Sequence, residues 1–152
     1  MPNSIRYHFN QRFAVSAREA YNWCTDFQLE DHVLMGEKDA KRQIKWLAEN
    51  TLILKETFHT DKGDLEKEKL VQLYPERFMW VSTHISGSNI YSQFIYEIKV
   101  EGKASELDFT ALHLENGEFS ENDLHKLEDD LLSYDSGVWK RLAKVMEKQL
   151  MH

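Results

Sequence analysis

The sequence predicts an α+β domain in which a curved seven-stranded antiparallel sheet wraps around one long C-terminal helix. Three observations carry that prediction. Six β-rich stretches follow one another between residues 42 and 114, separated only by short turn-prone connections. The residues after Phe119 keep one apolar face at helical spacing almost to the end. A lone alternating strand and two short helical segments precede the β-rich run. With 152 residues, 41% of them hydrophobic, the chain can build a core without disulfides or metal, and residues 1–152 read as one domain.

From Ile5 to Phe13, Ile5, Tyr7, Phe9 and Phe13 fall on one side and Arg6, His8, Asn10 and Arg12 on the other, the period of a half-buried strand. Ser16-Ala17-Arg18-Glu19 then fits a capping box, in which the Ser hydroxyl and Glu carboxylate satisfy backbone N–H groups left open at a helix start. The first short helix is expected to run to about Thr25. Asp26 caps a second, from Phe27 to Met35, which Gly36 can end in the left-handed conformation.

The strands are expected at Arg42 to Leu47, Thr51 to Thr60, Asp64 to Tyr74, Arg77 to Ser86, Ile90 to Glu101 and Ala104 to Leu114. The longest connections between them are three residues, such as Asp61-Lys62-Gly63 and Gly87-Ser88-Asn89. Parallel crossovers need a dozen residues or more, so these strands form an antiparallel meander. Ser120 caps the last helix, expected from Glu121 to Leu150, with Phe119 placed to staple against Leu124. At 1.5 Å per residue it is roughly 45 Å long, the only element able to cover the apolar face of the sheet. The gap between such a sheet and its helix is a usual place for a ligand cavity.

Composition removes several functions. There are 19 Lys+Arg against 26 Asp+Glu, a formal charge of −7, which argues against a nucleic-acid partner. The run Leu65-Glu66-Lys67-Glu68-Lys69 reads as a solvated face of mixed charge. One cysteine, Cys24, excludes an intrachain disulfide; it reads as a buried, inert thiol. No spaced Cys/His cluster, phosphate loop, His-Glu-x-x-His or Gly-x-Ser-x-Gly pattern occurs, so neither a metal nor a cofactor is expected. No apolar run approaches the roughly 18 residues of a membrane span, and a cytoplasmic protein is expected.

Several stretches point to a known family. Phe13-Ala14-Val15-Ser16 followed by Ala20-Tyr21-Asn22-Trp23-Cys24-Thr25-Asp26-Phe27 resembles the first strand, first helix and start of the second helix of the helix-grip superfamily. This superfamily, often called SRPBCC, contains START lipid-transfer domains, birch-pollen-allergen-like proteins and polyketide cyclases. Pro75-Glu76-Arg77-Phe78-Met79-Trp80 is similar to its mid-sheet Pro-x-Arg-hydrophobic-x-Trp stretch. Gly102-Lys103-Ala104-Ser105-Glu106-Leu107 resembles its Gly-x-Thr turn, with Ser105 in place of Thr. The resemblance covers nearly the whole chain and implies a START-like domain with a cavity between sheet and terminal helix.

On the terminal helix Leu124, Leu131, Val138, Leu142 and Met146 lie within about 80° of one another, and Asp135 falls inside that arc. A carboxylate there must reach water, pair with an Arg or Tyr of the sheet, or meet a ligand. Trp139 falls at the edge of the arc and is expected on the sheet rim. On the fourth meander strand Trp80, Ser82 and His84 share one face with Phe78 and Ser86 while Met79, Val81 and Thr83 share the other, and either face could point inward. Phe94 and Tyr96, with Leu107 and Phe109, alternate as cavity lining or core would. The candidate ligand-binding residues are therefore Trp80, Ser82, His84, Phe94, Tyr96, Leu107, Phe109, Leu131, Asp135, Val138 and Leu142.

The expected function is binding or transport of a hydrophobic, lipid-like or polyketide-like small molecule. The alternatives are a cyclase or dehydratase working through polar cavity residues, and a co-chaperone-like module with a protein partner.

Overall fold

The computed structural model describes residues 2–27 and 40–151. Its elements are β1 (Asn3–Phe13), α1 (Ala17–Cys24), β2 (Ala40–Ala48), β3 (Thr51–Thr60), β4 (Gly63–Tyr74), β5 (Met79–His84), β6 (Gln93–Glu101), β7 (Ala104–Glu115) and α2 (Glu121–Leu150). The second short helix expected from Phe27 to Met35 lies, beyond Phe27, outside the described residues.

Short hairpins make β2 to β7 a meander, and the sheet order is β1-β7-β6-β5-β4-β3-β2, every pair antiparallel. The N-terminal strand therefore closes the sheet beside the last strand. Along β1 burial alternates as the sequence does: Ile5, Tyr7 and Phe13 are buried and Arg6, His8 and Arg12 are not. The expected α+β architecture is present: a curved seven-stranded antiparallel sheet with one long C-terminal helix against it.

Both described helix starts are capped by the expected serines, but at α1 the box is half formed: the Glu19 carboxylate accepts from the Ser16 hydroxyl at 2.9 Å rather than from a backbone N–H. Ser16 Oγ accepts the Glu19 N–H at 3.2 Å, and Ser120 Oγ accepts the Asp123 N–H at 3.1 Å while Asp123 accepts the Ser120 N–H. The helix α2 buries Val138, Leu142, Ala143 and Met146 and packs along β1. Ser105 is fully buried and its hydroxyl donates to the Val15 carbonyl at 2.8 Å, tying the start of β7 to the turn between β1 and α1.

Two strands are shorter than expected. A single 3-10 turn, Pro75–Arg77, ends with Phe78 in the left-handed region at φ 50°, so β5 begins at Met79 rather than Arg77. That conformation is costly for a residue with a Cβ. Ring contact with Tyr21 at 5.9 Å and the Arg18 guanidinium 5.4 Å from the ring centre offset the cost. β6 begins at Gln93 rather than Ile90, because Tyr91 at φ 73° donates its N–H to the His84 carbonyl and turns the chain first.

Candidate ligand-binding site

Directly paired residues of an antiparallel sheet put their side chains on the same face, so the register assigns the inward positions. Trp80, Ser82 and His84 are 5%, 6% and 8% exposed, which makes their face the inward one. Trp80 pairs with Leu73 and Tyr96, and Ser82 with Val71 and Phe94. The Trp80 and Tyr96 rings stack 4.7 Å apart at an interplanar angle of 4°. Trp139 comes down from α2 to 6.4 Å from Trp80 and 5.8 Å from Tyr96. It was expected on the rim of the sheet; because the sheet curls toward the helix, the edge of the apolar arc of α2 meets β5 and β6 instead.

These three rings wall a cavity of about 120 Å³ that opens to solvent on one side. Trp23 and Phe27 supply further aromatic wall, and Leu54, Val71 and Leu142 the aliphatic part. Trp23 Nε1 donates to Gln149 Oε1 at 2.7 Å, which anchors the end of α1 to the end of α2 beside the cavity. Cys24 also borders it and is partly exposed, so the thiol is less buried than its setting in the sequence suggested.

A polar line crosses this wall. Arg42 pairs directly with Glu56 in the β2–β3 register. Lys69, opposite Leu54, is the diagonal neighbour of Glu56; Ser82, two residues from the Lys69 partner His84, is the next diagonal, and Tyr96 the one after. Arg42, Lys69, Ser82 and Tyr96 all line the cavity, and Glu56 is buried behind them. Lys69 Nζ donates to Glu56 Oε1 at 2.8 Å, and Arg42 Nη2 lies 3.8 Å from Oε2. Burial works against the Glu56 charge, but Lys69, Arg42 and Lys67 outweigh it and hold the carboxyl below the usual carboxylate range. Among the described residues the Ser82 and Tyr96 hydroxyls have no hydrogen-bond partner. Burial pushes the Tyr96 phenol far above its usual pKa, so it is a neutral donor.

Of the candidates named from sequence, Trp80, Ser82, Tyr96 and Leu142 border the cavity. The others lie elsewhere in the interior. Phe94 and Phe109 form a ring cluster with Phe9 and Tyr96 on the β1 side of the cavity, and Leu107 is fully buried. Val138 is buried on α2, while Leu131 is partly buried against the core. His84 sits 5.1 Å from the Phe94 ring; burial, with Lys69 and Lys67 nearby, lowers its pKa to about 4, so the imidazole is neutral. Asp135 accepts a hydrogen bond from Tyr7 OH at 2.5 Å, the sheet tyrosine pairing that was one of its open readings. Burial raises the Asp135 pKa against the opposing effect of that bond.

The sequence reading missed Trp23, Phe27, Arg42, Leu54, Lys69, Val71 and Trp139 as cavity residues. Period-two alternation could have found Leu54 and Val71, since both sit on inward positions of expected strands. The same alternation puts Lys69 on the face of Val71, but its place in a run of alternating charges reads as a solvated face until the pairing with Leu54 and His84 is known.

No family model and no curated protein matches the sequence. Solved structures do match. The Zhui aromatase/cyclase from Streptomyces sp. R1128 aligns with a TM-score of 0.76 at 8% identity over 97% of this chain and 96% of that one. Norcoclaurine synthase from Thalictrum flavum, in complex with dopamine and hydroxybenzaldehyde, gives 0.69 at 16% identity over 99% and 88%. Ara h 8.0201 gives 0.65 at 11% identity over 96% and 99%. At such identities the likeness is one of architecture, and it agrees with the resemblance drawn from the sequence motifs: the chain has the helix-grip fold.

Proposed function

We propose that the protein binds a small, mainly aromatic molecule in the cavity between β3–β6 and α2. The observation that carries this reading is the composition of the wall: stacked indole and phenol rings beside hydroxyls that no protein group satisfies. These hydroxyls open onto the cavity, where a ligand or water can supply the partner that the protein does not. A cavity volume near 120 Å³ suits one aromatic ring, with the rest of a larger ligand extending through the open side. The fold relatives add support in kind, since one of them is described with two aromatic compounds bound. Lipid-like ligands fit less well, because the volume is small and the walls are flat rings rather than aliphatic side chains.

Cyclase-type chemistry is the second reading, favoured by the ammonium of Lys69 and the phenol of Tyr96 on one wall. It would draw on those groups rather than on Asp135, whose carboxylate is held by Tyr7. Titration with naphthalene-2-carboxamide, followed by intrinsic tryptophan fluorescence, tests the binding reading. Saturable quenching that Trp139→Leu weakens supports it; no quenching, or quenching unaffected by Trp139→Leu, overturns it.

A further inference from the structure

We infer that the ligand is an aromatic carboxylate, with its acid group seated against Lys69, Ser82 and Tyr96 and its ring between Trp80, Tyr96 and Trp139. This deepens the cavity reading and rests on it. The inference starts from a charge that an apolar cavity has no reason to hold. Lys69 faces inward because it pairs directly with Leu54 and His84, and its side chain is 25% exposed at the cavity wall. Removing an ammonium from water is costly unless anionic or acceptor groups replace the lost hydration.

Glu56 replaces part of it. An ammonium has three donors, and the bond to Glu56 Oε1 uses one. Glu56 is shared as well. Lys67 lies directly opposite it in the β3–β4 register, so two lysines of β4 face this one carboxylate, leaving aside Arg42, which has further interactions of its own. Lys67 also lies 5.6 Å from the Phe58 ring, and neither of the two borders the cavity. The cavity side of Lys69 is where an additional acceptor would fit.

The neighbours of Lys69 point the same way. Ser82 is 6% exposed and Tyr96 is partly buried, and both hydroxyls are donors without a protein partner beside the same space. Three donors of different strands lie on one diagonal beside Glu56 and can donate to the two oxygens of a carboxylate. A neutral amide or alcohol could accept from the ammonium but would bring no opposite charge to it. A doubly charged phosphate fits less well: Arg42 and Lys69 border the cavity with two positive charges, and Glu56 already takes up one of them.

The matched pair naphthalene-2-carboxylate and naphthalene-2-carboxamide tests this, since the two differ in charge and hardly in shape. The wild-type protein is expected to bind the carboxylate about tenfold more tightly, the size of one added charge-assisted hydrogen bond. Lys69→Met should abolish the preference, weakening carboxylate binding about tenfold more than carboxamide binding. Because that change removes a partner of Glu56, the double variant Glu56→Gln/Lys69→Met is measured beside it, with folding checked by circular dichroism. Equal affinities in the wild type, or a preference that persists in both variants, overturn the inference. Carboxamide binding without a preference would leave the cavity reading intact; failure of both probes to bind would defeat the two together.

Discussion

On β5, β6 and β7 the inward positions hold Trp80, Phe94, Tyr96 and Phe109, whereas on β2, β3 and β4 they hold Arg42, Glu56, Lys67 and Lys69 among the aliphatic residues. The same pleat builds both halves, and both end up under the same helix or beside the same cavity. In the first half burial follows from the apolar area of the rings, each of which removes some 150–250 Å² from water. In the second it follows from mutual compensation: Glu56 is 4% exposed only because cations on β2 and β4 surround it. One half is a core in the ordinary sense, and the other is a polar seam that a core has been built around.

Truncation separates the two. Phe109 is 2% exposed and touches Tyr7, Phe9, Phe94 and Tyr96, so Phe109→Ala should cost about 3–5 kcal/mol in chemical denaturation. A cost below about 1 kcal/mol would mean that the ring cluster collapses freely, which close packing forbids. Glu56→Gln changes almost no volume but leaves Lys69 and Arg42 without their carboxylate. It should cost about 2 kcal/mol, less than a fully buried pair because Lys69 reaches solvent. A neutral result would show that the seam is screened by water and that the two halves do not differ in kind.

Acid should divide them again. His84 has a pKa of about 4 in the fold against the ordinary 6.5, so the unfolded chain takes up a proton that the folded chain refuses, and stability is lost as pH falls through that window. Melting temperatures of His84→Phe should be flat from about pH 6.5 to 5 where those of the wild type decline. The Glu56 contribution, whose folded pKa is lowered, is lost only at more acid pH, as the carboxyl is protonated. Equal slopes in the two proteins would remove His84 from the account.

The smallest effect concerns Asp135. Its folded pKa is raised, so its ionised form is the less favoured one and its contribution fades as pH rises through that pKa. Asp135→Asn keeps an oxygen to accept from Tyr7 and removes a partly buried charge. At pH 7 its stability should be unchanged or higher, by at most about 1 kcal/mol. A clear loss would show that Tyr7 needs a charged acceptor.

The difference between the halves also explains what the sequence could be read for. The fold was legible because turn spacing and periodicity are local: both ends of α2, both helix caps and every strand of the meander are visible in short windows of sequence. The aromatic side of the site was legible for the same reason, since Trp80 and Tyr96 stand on strands whose alternation is plain. The polar seam was not. Glu66-Lys67-Glu68-Lys69 alternates in charge as a solvated strand does, which masks that Lys67 and Lys69 share the face of Val71 and Leu73 and, through pairing with Glu56, Leu54 and His84, point inward. Trp139 was misplaced because a helical wheel gives an angle and says nothing of how far the sheet curls to meet it.

The central claim is that the cavity is a binding site, and the indole N–H resonances in a proton–nitrogen correlation spectrum test it most directly. Trp23, Trp80 and Trp139 border the cavity, while Trp46 stands exposed near the end of β2. On titration with naphthalene-2-carboxamide, the account predicts that the signals of Trp80 and Trp139 shift most, that of Trp23 follows, and that of Trp46 stays in place. Shifts confined to Trp46, or no shift at any of the four, would contradict it.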